Sequence, residues 1–399
     1  MTNKIDITTL NDLQANWNYP TSIHFGAGKI SQLADICKSL KVNNPLLVTD
    51  AGLVQQSFVK DIVEANEAAG IKIAIFSSVK PNPAGSNIEA GVAAYKKGQH
   101  DAVIAIGGGS GLDAGKAIAL MVGQNYSLWD FEDVGDNWTR INPDGLAPVI
   151  AIPTTAGTGS EVGRASVIVD ETTSSKKIIF HPKMMPDVVI ADPVLTQGLP
   201  AHITAATGID AFVHNLEAFC APAYHPMADG IALEGMRLIK QWLPVAFENG
   251  ENLVARSHML IASSMGATAF QKGLGGIHAL AHPLGALFDK HHGLLNAILL
   301  PYVLLRNKPA IEEKIIHIAR YLDLDDVSFN GFMHWVIKFR QDLNIPDDLA
   351  AIDITLAEKT LIGSMAVKDS CAGGNPIKFS EDQYSEIFQA AVNGDLQCE

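Results

Sequence analysis

The sequence predicts two domains, an α/β domain built on a parallel sheet over residues 1–199 and an all-helical domain over residues 200–399. The chain has 399 residues, which is more than one hydrophobic core usually holds. Its first half alternates short β-branched apolar runs with helical segments, whereas long segments with helical spacing dominate the second half. Gly198 and Pro200 interrupt the chain between the two halves, so we place the domain boundary there.

Six apolar runs in the first half are the predicted strands. They span residues 22–28, 45–52, 71–79, 102–110, 148–161 and 188–193. Their β-branched residues form continuous runs, which is typical of strands that are buried on both faces. Helical stretches such as residues 29–40 lie between them. This alternation predicts a parallel sheet with helical connections.

Four long segments in the second half place apolar residues at helical spacing. They span residues 203–219, 227–250, 252–271 and 309–322. Because β-branched runs are rare in this half, we predict that the whole second domain is helical.

The composition excludes several classes of partner. The formal net charge is −14, and an acidic surface repels nucleic-acid phosphates and anionic membranes. The longest apolar stretch, residues 297–305, is too short to span a bilayer, and residues 1–20 lack the apolar centre of a signal peptide. Four cysteines without a CxxC pair are too few for a disulfide scaffold: Cys37, Cys220, Cys371 and Cys398. We therefore expect a soluble cytoplasmic protein with reduced thiols.

A glycine loop follows the fourth predicted strand. Residues 102–120, AVIAIGGGSGLDAGKAIAL, have the pattern of a buried strand, a glycine turn and a helix start. Gly107, Gly108 and Gly109 allow the backbone to turn and to approach a ligand closely. The free amides at the start of the helix favour a phosphate, and Ser110 adds a hydroxyl donor. The alternative is a tight strand–helix turn that binds nothing.

Two more features support a nucleotide ligand, although the usual dinucleotide fingerprint, with its acid downstream of the loop, is absent. Asp50 ends an earlier strand, where it would accept hydrogen bonds from ribose hydroxyls and repel a 2′-phosphate. The alternative is that Asp50 only closes the turn before Gly52. A second loop, residues 152–161, carries the hydroxyls of Thr154, Thr155, Thr158 and Ser160. Its alternative is a turn held by local side-chain hydrogen bonds.

Histidines recur at helical spacing in the second half. Asp210 and His214 are four residues apart, so they share one helix face. His278 and His282 repeat this spacing, and His292 lies fourteen residues beyond His278, close to four helical turns. One carboxylate and three imidazoles suit Fe(II) or Zn(II). The pattern therefore predicts a metal site.

Each of these positions also has an interpretation without a metal. A single histidine in an apolar helix is more often structural than a ligand. Asp210, which follows Gly208, would cap the start of a helix. His291 competes with His292 as the ligand, and Pro283 and Gly285 would break a continuous helix between them and His278.

Together these motifs resemble the iron-containing (group III) alcohol dehydrogenases. They occur in that family's order over about residues 20–390, as GGGSGLDAGKAIA, IPTTAGTGSEV, GIDAFVHNLEAF and GGIHALAHPLGALFDKHHGLLNAI. The resemblance implies a Rossmann-like nucleotide-binding domain before a helical metal-binding domain, an architecture shared with dehydroquinate synthase. It also implies reversible hydride transfer between a small primary alcohol, diol or hydroxy acid and NAD(H).

The resemblance assigns roles by motif position. The implied metal ligands are Asp210, His214, His278 and His292. His282 is implied to be unligated, and we expect it to carry the proton of the substrate near neutral pH. The implied cofactor residues are Gly107, Gly108, Gly109 and Ser110 at the pyrophosphate, Thr154 and Thr155 beside the cofactor, Lys177 at the nicotinamide ribose, and Asp50, where an acid favours NAD over NADP. The expected ion is Fe(II), with Zn(II) as the alternative, in a homodimer or larger homo-oligomer.

The sequence departs from the family pattern at two places. Gly111 stands where the family usually has a proline, and we expect the phosphate site to survive this change. Gln271 and Lys272 follow Phe270, where the family often has a small residue and then asparagine. If Lys272 faced the substrate, it would pair with an anionic one such as a hydroxy acid. The alternative that we favour is an exposed lysine at a helix end.

Four other functions fit parts of the sequence. Dehydroquinate synthase needs many lysines and arginines for its substrate, whereas the corresponding segments here are mostly apolar. Glycerol dehydrogenase has three metal ligands instead of this set of four. A metal-dependent hydrolase without a cofactor would leave two glycine loops unexplained. A binding protein without activity has little use for a metal beside a nucleotide loop.

Overall fold

A parallel sheet organises the first half of the chain in the computed structural model, which describes residues 21–396. Eight strands lie within these residues: β1 Ser22–Phe25, β2 Leu46–Asp50, β3 Ala74–Val79, β4 Val103–Gly107, β5 Val149–Pro153, β6 Ala165–Asp170, β7 Ser175–Phe180 and β8 Val188–Ala191. Six of them pair in parallel in the order β1-β8-β5-β4-β2-β3. The predicted parallel α/β sheet is therefore confirmed. Residues 1–20, where we looked for a signal peptide, and Cys398 lie outside the described residues.

Four helices accompany this sheet: α1 Leu33–Ser39, α2 Ser57–Ala68, α3 Gly85–Gly98 and α4 Gly109–Met121. The central strands are apolar throughout because helices cover both faces of a parallel sheet. Ile104 and Ile106 of β4 and Ile150 of β5 are fully buried in a core that also contains Leu33 of α1.

The sheet brings the predicted nucleotide residues to one edge. Gly107, the last residue of β4, lies beside Pro153, the last residue of β5, in the parallel register. β2, which ends at Asp50, pairs with the other side of β4. Because the carboxyl ends of adjacent parallel strands meet at one edge, Asp50 and the two glycine loops leave the sheet side by side.

An antiparallel hairpin of β6 and β7 was not predicted. Ile168 lies opposite Lys177 in its register. Along β6, buried and half-buried residues alternate, so this strand lacks the continuous apolar run by which we recognised the others. β7 carries Lys176 and Lys177, which further obscured its strand character.

The second half is helical, as predicted. Its helices are α5 Ala201–Cys220, α6 Pro226–Glu248, α7 Leu253–Ala269, α8 Gly276–Phe288, α9 His292–Tyr321, α10 Phe329–Asp342, α11 Lys359–Ala366 and α12 Glu381–Asn393. α5 is buried along nearly its whole length and packs against α6 and α9. It is therefore the central helix of this half.

Proline misled the prediction of one helix boundary. We expected a helix at residues 309–322, but α9 starts seventeen residues earlier, at His292, and contains Pro301 and Pro309 in its interior. α8 likewise continues through Pro283. Proline removes one backbone donor and usually ends or kinks a helix, so its presence hid the length of α9.

The described residues form two compact units. One contains the residues up to Leu199 together with Glu251–Leu260, which includes the first part of α7. The other contains Pro200–Gly250 and the residues from Ile261 onward. In the part of the chain that the structure describes, no helix is long and apolar enough to cross a membrane.

Candidate functional site

The helical unit contains the predicted metal residues. Asp210 and His214 lie in the middle of α5, where they are 2% and 4% exposed. The alternative role of Asp210 as a helix cap is wrong, because α5 begins nine residues before it. Gly208, two residues before Asp210, leaves room for close packing, since a Cβ atom there would lie 2.3 Å from Leu243. α5 and α6 therefore approach each other closely at this point.

The other histidines lie on two separate helices. α8 carries His278 and ends at Phe288, and the φ of +50° at the next residue, Asp289, turns the chain. α9 then begins at His292, so no continuous helix joins His278 to His292. His291 is the residue before α9, and its Nδ1 accepts a hydrogen bond from the Leu294 amide at 3.3 Å. His291 therefore caps α9, and it is not among the residues whose ligand atoms lie together.

The four predicted ligands converge on one point. Oδ1 of Asp210 lies 4.0 Å from Nε2 of His214 and 4.0 Å from Nε2 of His278. It lies 3.8 Å from Nε2 of His292, and one ligand atom from each of the four residues lies within 4.8 Å of all the others. In a metal site, each ligand atom lies about 2.0–2.2 Å from the ion, so two ligand atoms lie almost twice that far from each other. The separations of 3.8–4.0 Å observed here are close to this, and the donor set therefore fits a transition-metal ion.

Glu217, which the sequence analysis missed, orients His278. Its Oε2 lies 2.7 Å from Nδ1 of His278 and accepts the amide of Gly275 at 2.9 Å, while Oε1 accepts the amide of Ile277 at 2.7 Å. With a proton on Nδ1, the lone pair of Nε2 points at the other ligands, as metal binding requires. Glu217 follows His214 by three residues on the same helix, a spacing that could have revealed it.

The electrostatics of this group favour a cation. Burial by itself would lower the pKa of His278, but its hydrogen bond to Glu217 and the charges of Glu217 and Asp210 raise it above the ordinary value. These buried negative charges would stabilise a metal cation in the same way that they stabilise a protonated imidazole.

Asn296 contacts three of the four predicted metal ligands. Its Nδ2 donates to Oδ1 of Asp210 at 2.7 Å and lies 3.1 Å from Nε2 of both His278 and His292. Its Oδ1 is buried and has no hydrogen-bond partner among the described residues. Asn296 is one helical turn after His292, a spacing that could have revealed it. The site is thus lined by polar atoms that a bound ion and its ligands would satisfy.

His282 lies beside this set but is not part of it. Its ring stacks on that of His292, with centroids 5.4 Å apart. Its Nδ1 lies 2.8 Å from Oδ2 of Asp369, whose Oδ1 accepts the amide of Cys371 at 2.8 Å. Burial would raise the pKa of Asp369, but the charge and hydrogen bond of His282 hold it below the ordinary value. The Asp369 carboxylate is therefore ionised and fixes the ring of His282.

The α/β unit contains the predicted phosphate loop. Gly107 has a φ of +150°, a conformation that side chains disfavour, and its carbonyl accepts the Thr154 amide at 2.9 Å. A Cβ atom on Gly108 would lie 3.1 Å from Oγ1 of Thr155, and one on Gly109 would lie 2.5 Å from Thr158. The two polar loops therefore pack against each other, and a side chain at Gly109 would force Thr158 to move.

Ser110 and Asp50 hold protein contacts of their own at this edge. Ser110 Oγ donates to the carbonyl of Pro81, so the hydroxyl must rotate to donate to a ligand, whereas its amide at the start of α4 need not move. Oδ1 of Asp50 accepts the amides of Gly52 and Leu53, each at 2.8 Å. Asp50 thus closes the turn before Gly52, as the alternative interpretation expected. Its second carboxylate oxygen, Oδ2, takes no part in these two hydrogen bonds.

Lys177, on β7, is held by two acidic residues, of which Asp170 lies on β6 and Glu132 lies outside the hairpin. Its Nζ lies 3.0 Å from Oδ2 of Asp170, 3.4 Å from Oε2 of Glu132 and 5.4 Å from the centre of the Trp129 ring. Burial would lower the pKa of Lys177, but these two carboxylates raise it. A contact with the nicotinamide ribose stays a prediction.

The expectation for Lys272 was wrong. Its side chain is 2% exposed, so it is not an exposed lysine at a helix end. Nζ forms an ion pair with Asp229 and donates to the carbonyl of Phe219 at 3.1 Å, at the end of α5. Carbonyl oxygens at a helix C-terminus attract cations, which explains why this lysine turns inward.

The fold and the donor set define a class of protein: an α/β sheet unit with glycine loops and a helical unit with an Asp-His₃ site. The sequence profile described as "Iron-containing alcohol dehydrogenase" matches residues 20–193. The profile described as "Fe-containing alcohol dehydrogenase family, C-terminal" matches residues 204–392. The chain belongs to the iron-containing alcohol dehydrogenase family, whose members are oxidoreductases that act on alcohols.

Known proteins resemble the chain over almost its whole length. The 4-hydroxybutyrate dehydrogenase of Cupriavidus necator is 35% identical over 386 residues, which cover 94% of this chain and 99% of that protein. The NAD-dependent methanol dehydrogenase of Bacillus methanolicus is 32% identical and covers 94% and 100%. A crystal structure of 1,3-propanediol oxidoreductase superimposes with a TM-score of 0.90 at 35% identity, covering 95% and 100%.

Proposed function

We propose that this chain is a metal-dependent, NAD(H)-linked alcohol dehydrogenase. It transfers a hydride reversibly between the nicotinamide and a small primary alcohol, diol or hydroxy acid. The observation that carries this proposal is the convergence of Asp210, His214, His278 and His292, whose ligand atoms lie within 4.8 Å of one another. The two glycine loops at one edge of the sheet support the nucleotide part of the proposal.

These four residues would hold Fe(II), with Zn(II) as the alternative. When bound, the ion supplies Lewis-acid chemistry that lowers the pKa of an alcohol. The protein keeps its ligands ready for this role: Glu217 fixes the imidazole of His278, and Asn296 holds one oxygen of Asp210. Such partners orient the ligands before the ion arrives.

His282 is suited to moving the proton of the substrate. Its Nδ1 is engaged with Asp369, which leaves Nε2 as the atom that accepts and releases a proton. The carboxylate of Asp369 stabilises the imidazolium that forms when Nε2 takes the proton. His282 stacks on His292, so this base lies next to the proposed metal ligands.

The edge of the sheet is suited to NAD. Amides at the start of α4 are free to bind the pyrophosphate, because the first turn of a helix leaves its N–H groups without partners inside the helix. A carboxylate at Asp50 would accept the ribose hydroxyls of NAD and repel the 2′-phosphate of NADP. We therefore propose NAD in preference to NADP.

The names of the relatives support the proposed substrate class, and one contact limits how a hydroxy acid would bind. The names of the similar proteins specify 4-hydroxybutyrate, methanol and 1,3-propanediol, all primary alcohols. Lys272 is already paired with Asp229, so it is not available to bind the carboxylate of a hydroxy acid. If a hydroxy acid is the substrate, another group binds its carboxylate.

The test is an absorbance assay at about 340 nm, where NADH absorbs. Metal-free protein receives Fe(II) under anaerobic conditions or Zn(II), and each form meets NAD or NADP with primary alcohols, diols and ω-hydroxy acids. We expect metal-dependent NADH formation and little reduction of NADP. Protein that binds the metal stoichiometrically but reduces neither cofactor with any alcohol would refute the dehydrogenase proposal.

A further inference from the structure

An ion pair on α4, whose lysine is buried, connects the two polar loops. α4 starts at Gly109, within the phosphate loop, and carries Asp113 and Lys116 one and two turns later. Lys116 is 1% exposed, although an ammonium group normally stays in water. Its Nζ lies 3.3 Å from Oδ1 of Asp113. Neither Asp113 nor Lys116 is among the residues predicted to bind the cofactor.

The backbone after the second loop surrounds the ammonium group. Nζ donates to the carbonyls of Ser160 at 3.0 Å and Gly163 at 3.4 Å, and also to that of Ala165. An ammonium group has three N–H donors, so these three carbonyls, together with Oδ1 of Asp113, leave none of them without an acceptor. Burial lowers the pKa of Lys116, and the nearby charge of Asp113 opposes this effect. The segment 160–165 is thus wrapped around one side chain of α4.

Asp113 binds the same segment through different groups. Its Oδ1 accepts the hydroxyl of Ser160 at 2.5 Å, and its Oδ2 accepts the amide of Val167 at 2.9 Å. The lysine therefore binds acceptors of this segment while the aspartate binds its donors. A segment held through both kinds of group has little freedom to shift along the helix.

The segment that the pair holds is continuous with the second loop. Thr155 and Thr158 precede Ser160 by five and two residues, and they pack against Gly108 and Gly109. A displacement of Ser160 would therefore move these threonines relative to the amides of the phosphate loop. Because α4 carries both the phosphate loop and the ion pair, it fixes the distance between the two loops.

We infer that Asp113 and Lys116 are positioning residues for nucleotide binding, which hold the second loop against the phosphate loop. They do not contact the nucleotide themselves. They act by keeping the threonine hydroxyls and the glycine-loop amides arranged for a pyrophosphate ligand before it binds. When the binding groups are already ordered in the free protein, less conformational entropy is lost on binding. Loosening the two loops should therefore weaken the affinity for the nucleotide. The inference rests on the proposed function of the two loops as a nucleotide site.

The chain offers a matched control in its helical unit. Nζ of Lys314 also donates to three backbone carbonyls, those of Phe219, Cys220 and Ala221, at 3.0, 3.0 and 2.9 Å. Lys314→Met therefore removes a partly buried ammonium group with the same number of carbonyl partners, but far from the loops in sequence. Lys116→Met and Lys314→Met should both lower stability, and only Lys116→Met should affect the loops.

The experiment measures NADH binding by fluorescence and amide hydrogen exchange by mass spectrometry, on the full chain. In Lys116→Met we expect the Kd for NADH to rise about tenfold or more, with faster exchange in peptides that cover residues 154–167. In Lys314→Met we expect a change of Kd of less than about twofold and unchanged exchange in these peptides. Equal effects of the two substitutions on Kd would overturn the inference.

Two milder variants keep the test decisive if Lys116→Met does not fold. Asp113→Asn replaces one acceptor by a donor that faces the Val167 amide, and Ser160→Ala removes only the hydroxyl bond to Asp113. We expect faster exchange in residues 154–167 in both, with a larger effect for Asp113→Asn. Exchange that stays at the wild-type rate in both variants would contradict the positioning role.

The two readouts separate this inference from the proposed function. If the wild-type protein binds no NADH, the nucleotide proposal fails. The positioning role of Asp113 and Lys116 for a nucleotide then fails as well, even if the exchange data show that the pair holds the second loop. If the wild-type protein binds NADH but Lys116→Met changes neither Kd nor exchange, the nucleotide proposal stands and the positioning role is wrong.

Discussion

Replacing Glu217 by glutamine would test how the protein prepares its metal ligands. The carboxylate is buried and accepts three hydrogen bonds, from His278 Nδ1 and from the amides of Gly275 and Ile277, at 2.7–2.9 Å. Glutamine has the same shape but only one acceptor atom. If its oxygen faces His278 and Gly275, its NH₂ group meets the N–H group of Ile277, and one buried donor loses its partner.

The expected magnitude follows from these contacts. A buried donor without a partner costs about 1–3 kcal/mol, so the free energy of unfolding should fall by about that amount. The remaining bond to His278 loses its charge assistance, and substitution of such a partner typically weakens metal binding by about 10–100-fold. We therefore expect Glu217→Gln to fold, to bind NADH normally and to bind Zn(II) about 10–100-fold more weakly.

The assay is a competition for Zn(II) or Co(II) with a chromophoric chelator, and Asp369→Asn is the control. Asp369 also binds an imidazole Nδ1, at 2.8 Å, but its partner is His282, which lies outside the ligand set. Asp369→Asn should leave metal affinity within about threefold of wild type. Wild-type metal affinity in Glu217→Gln, or an equal loss in Asp369→Asn, would refute the assigned role of Glu217.

Three further predictions concern other parts of the molecule. His282→Ala should retain one metal ion per chain, measured by elemental analysis, but slow turnover and alter its pH profile; loss of the metal would mean that His282 is a ligand. Gly109→Ala should raise the Kd for NADH about tenfold or more, because its Cβ would lie 2.5 Å from Thr158. Although burial raises the pKa of Asp170, bonds from Thr172 and Lys177 hold it below the ordinary value. Asp170 therefore stabilises the fold above about pH 4, and this contribution disappears as the pH falls further. Urea titrations between about pH 2 and 6 should show a smaller acid-induced loss in Asp170→Asn, and an unchanged slope would contradict this account.

Local sequence patterns were sufficient for much of the fold. Strands such as β4 and β5 were recognisable because a strand buried on both faces must be apolar throughout. The hairpin of β6 and β7 was not, because each of its strands is half-exposed and one carries two lysines. The start of α9 was hidden by Pro301 and Pro309, which helix interiors rarely tolerate.

Spacing also identified part of the candidate site. Asp210 and His214 share a helix face because they are four residues apart, and this follows from helix geometry without any tertiary information. The resemblance to a family, and not the spacing, singled out His292 over His291. The structure then gave His291 the role of a helix cap.

By itself, the sequence determined the six strands of the parallel sheet, the helical character of the second half, the acidic character of the chain, and the residue types able to bind a metal and a phosphate. The tertiary structure alone decided which of these side chains meet. Glu217 and His278 are 61 residues apart in sequence, and Asp369 and His282 are 87 apart. It also turned Lys272 inward, where the sequence indicated an exposed lysine. The physical reason is that periodicity reports only which face of an element is buried, whereas a buried charge is placed by partners that distant segments supply.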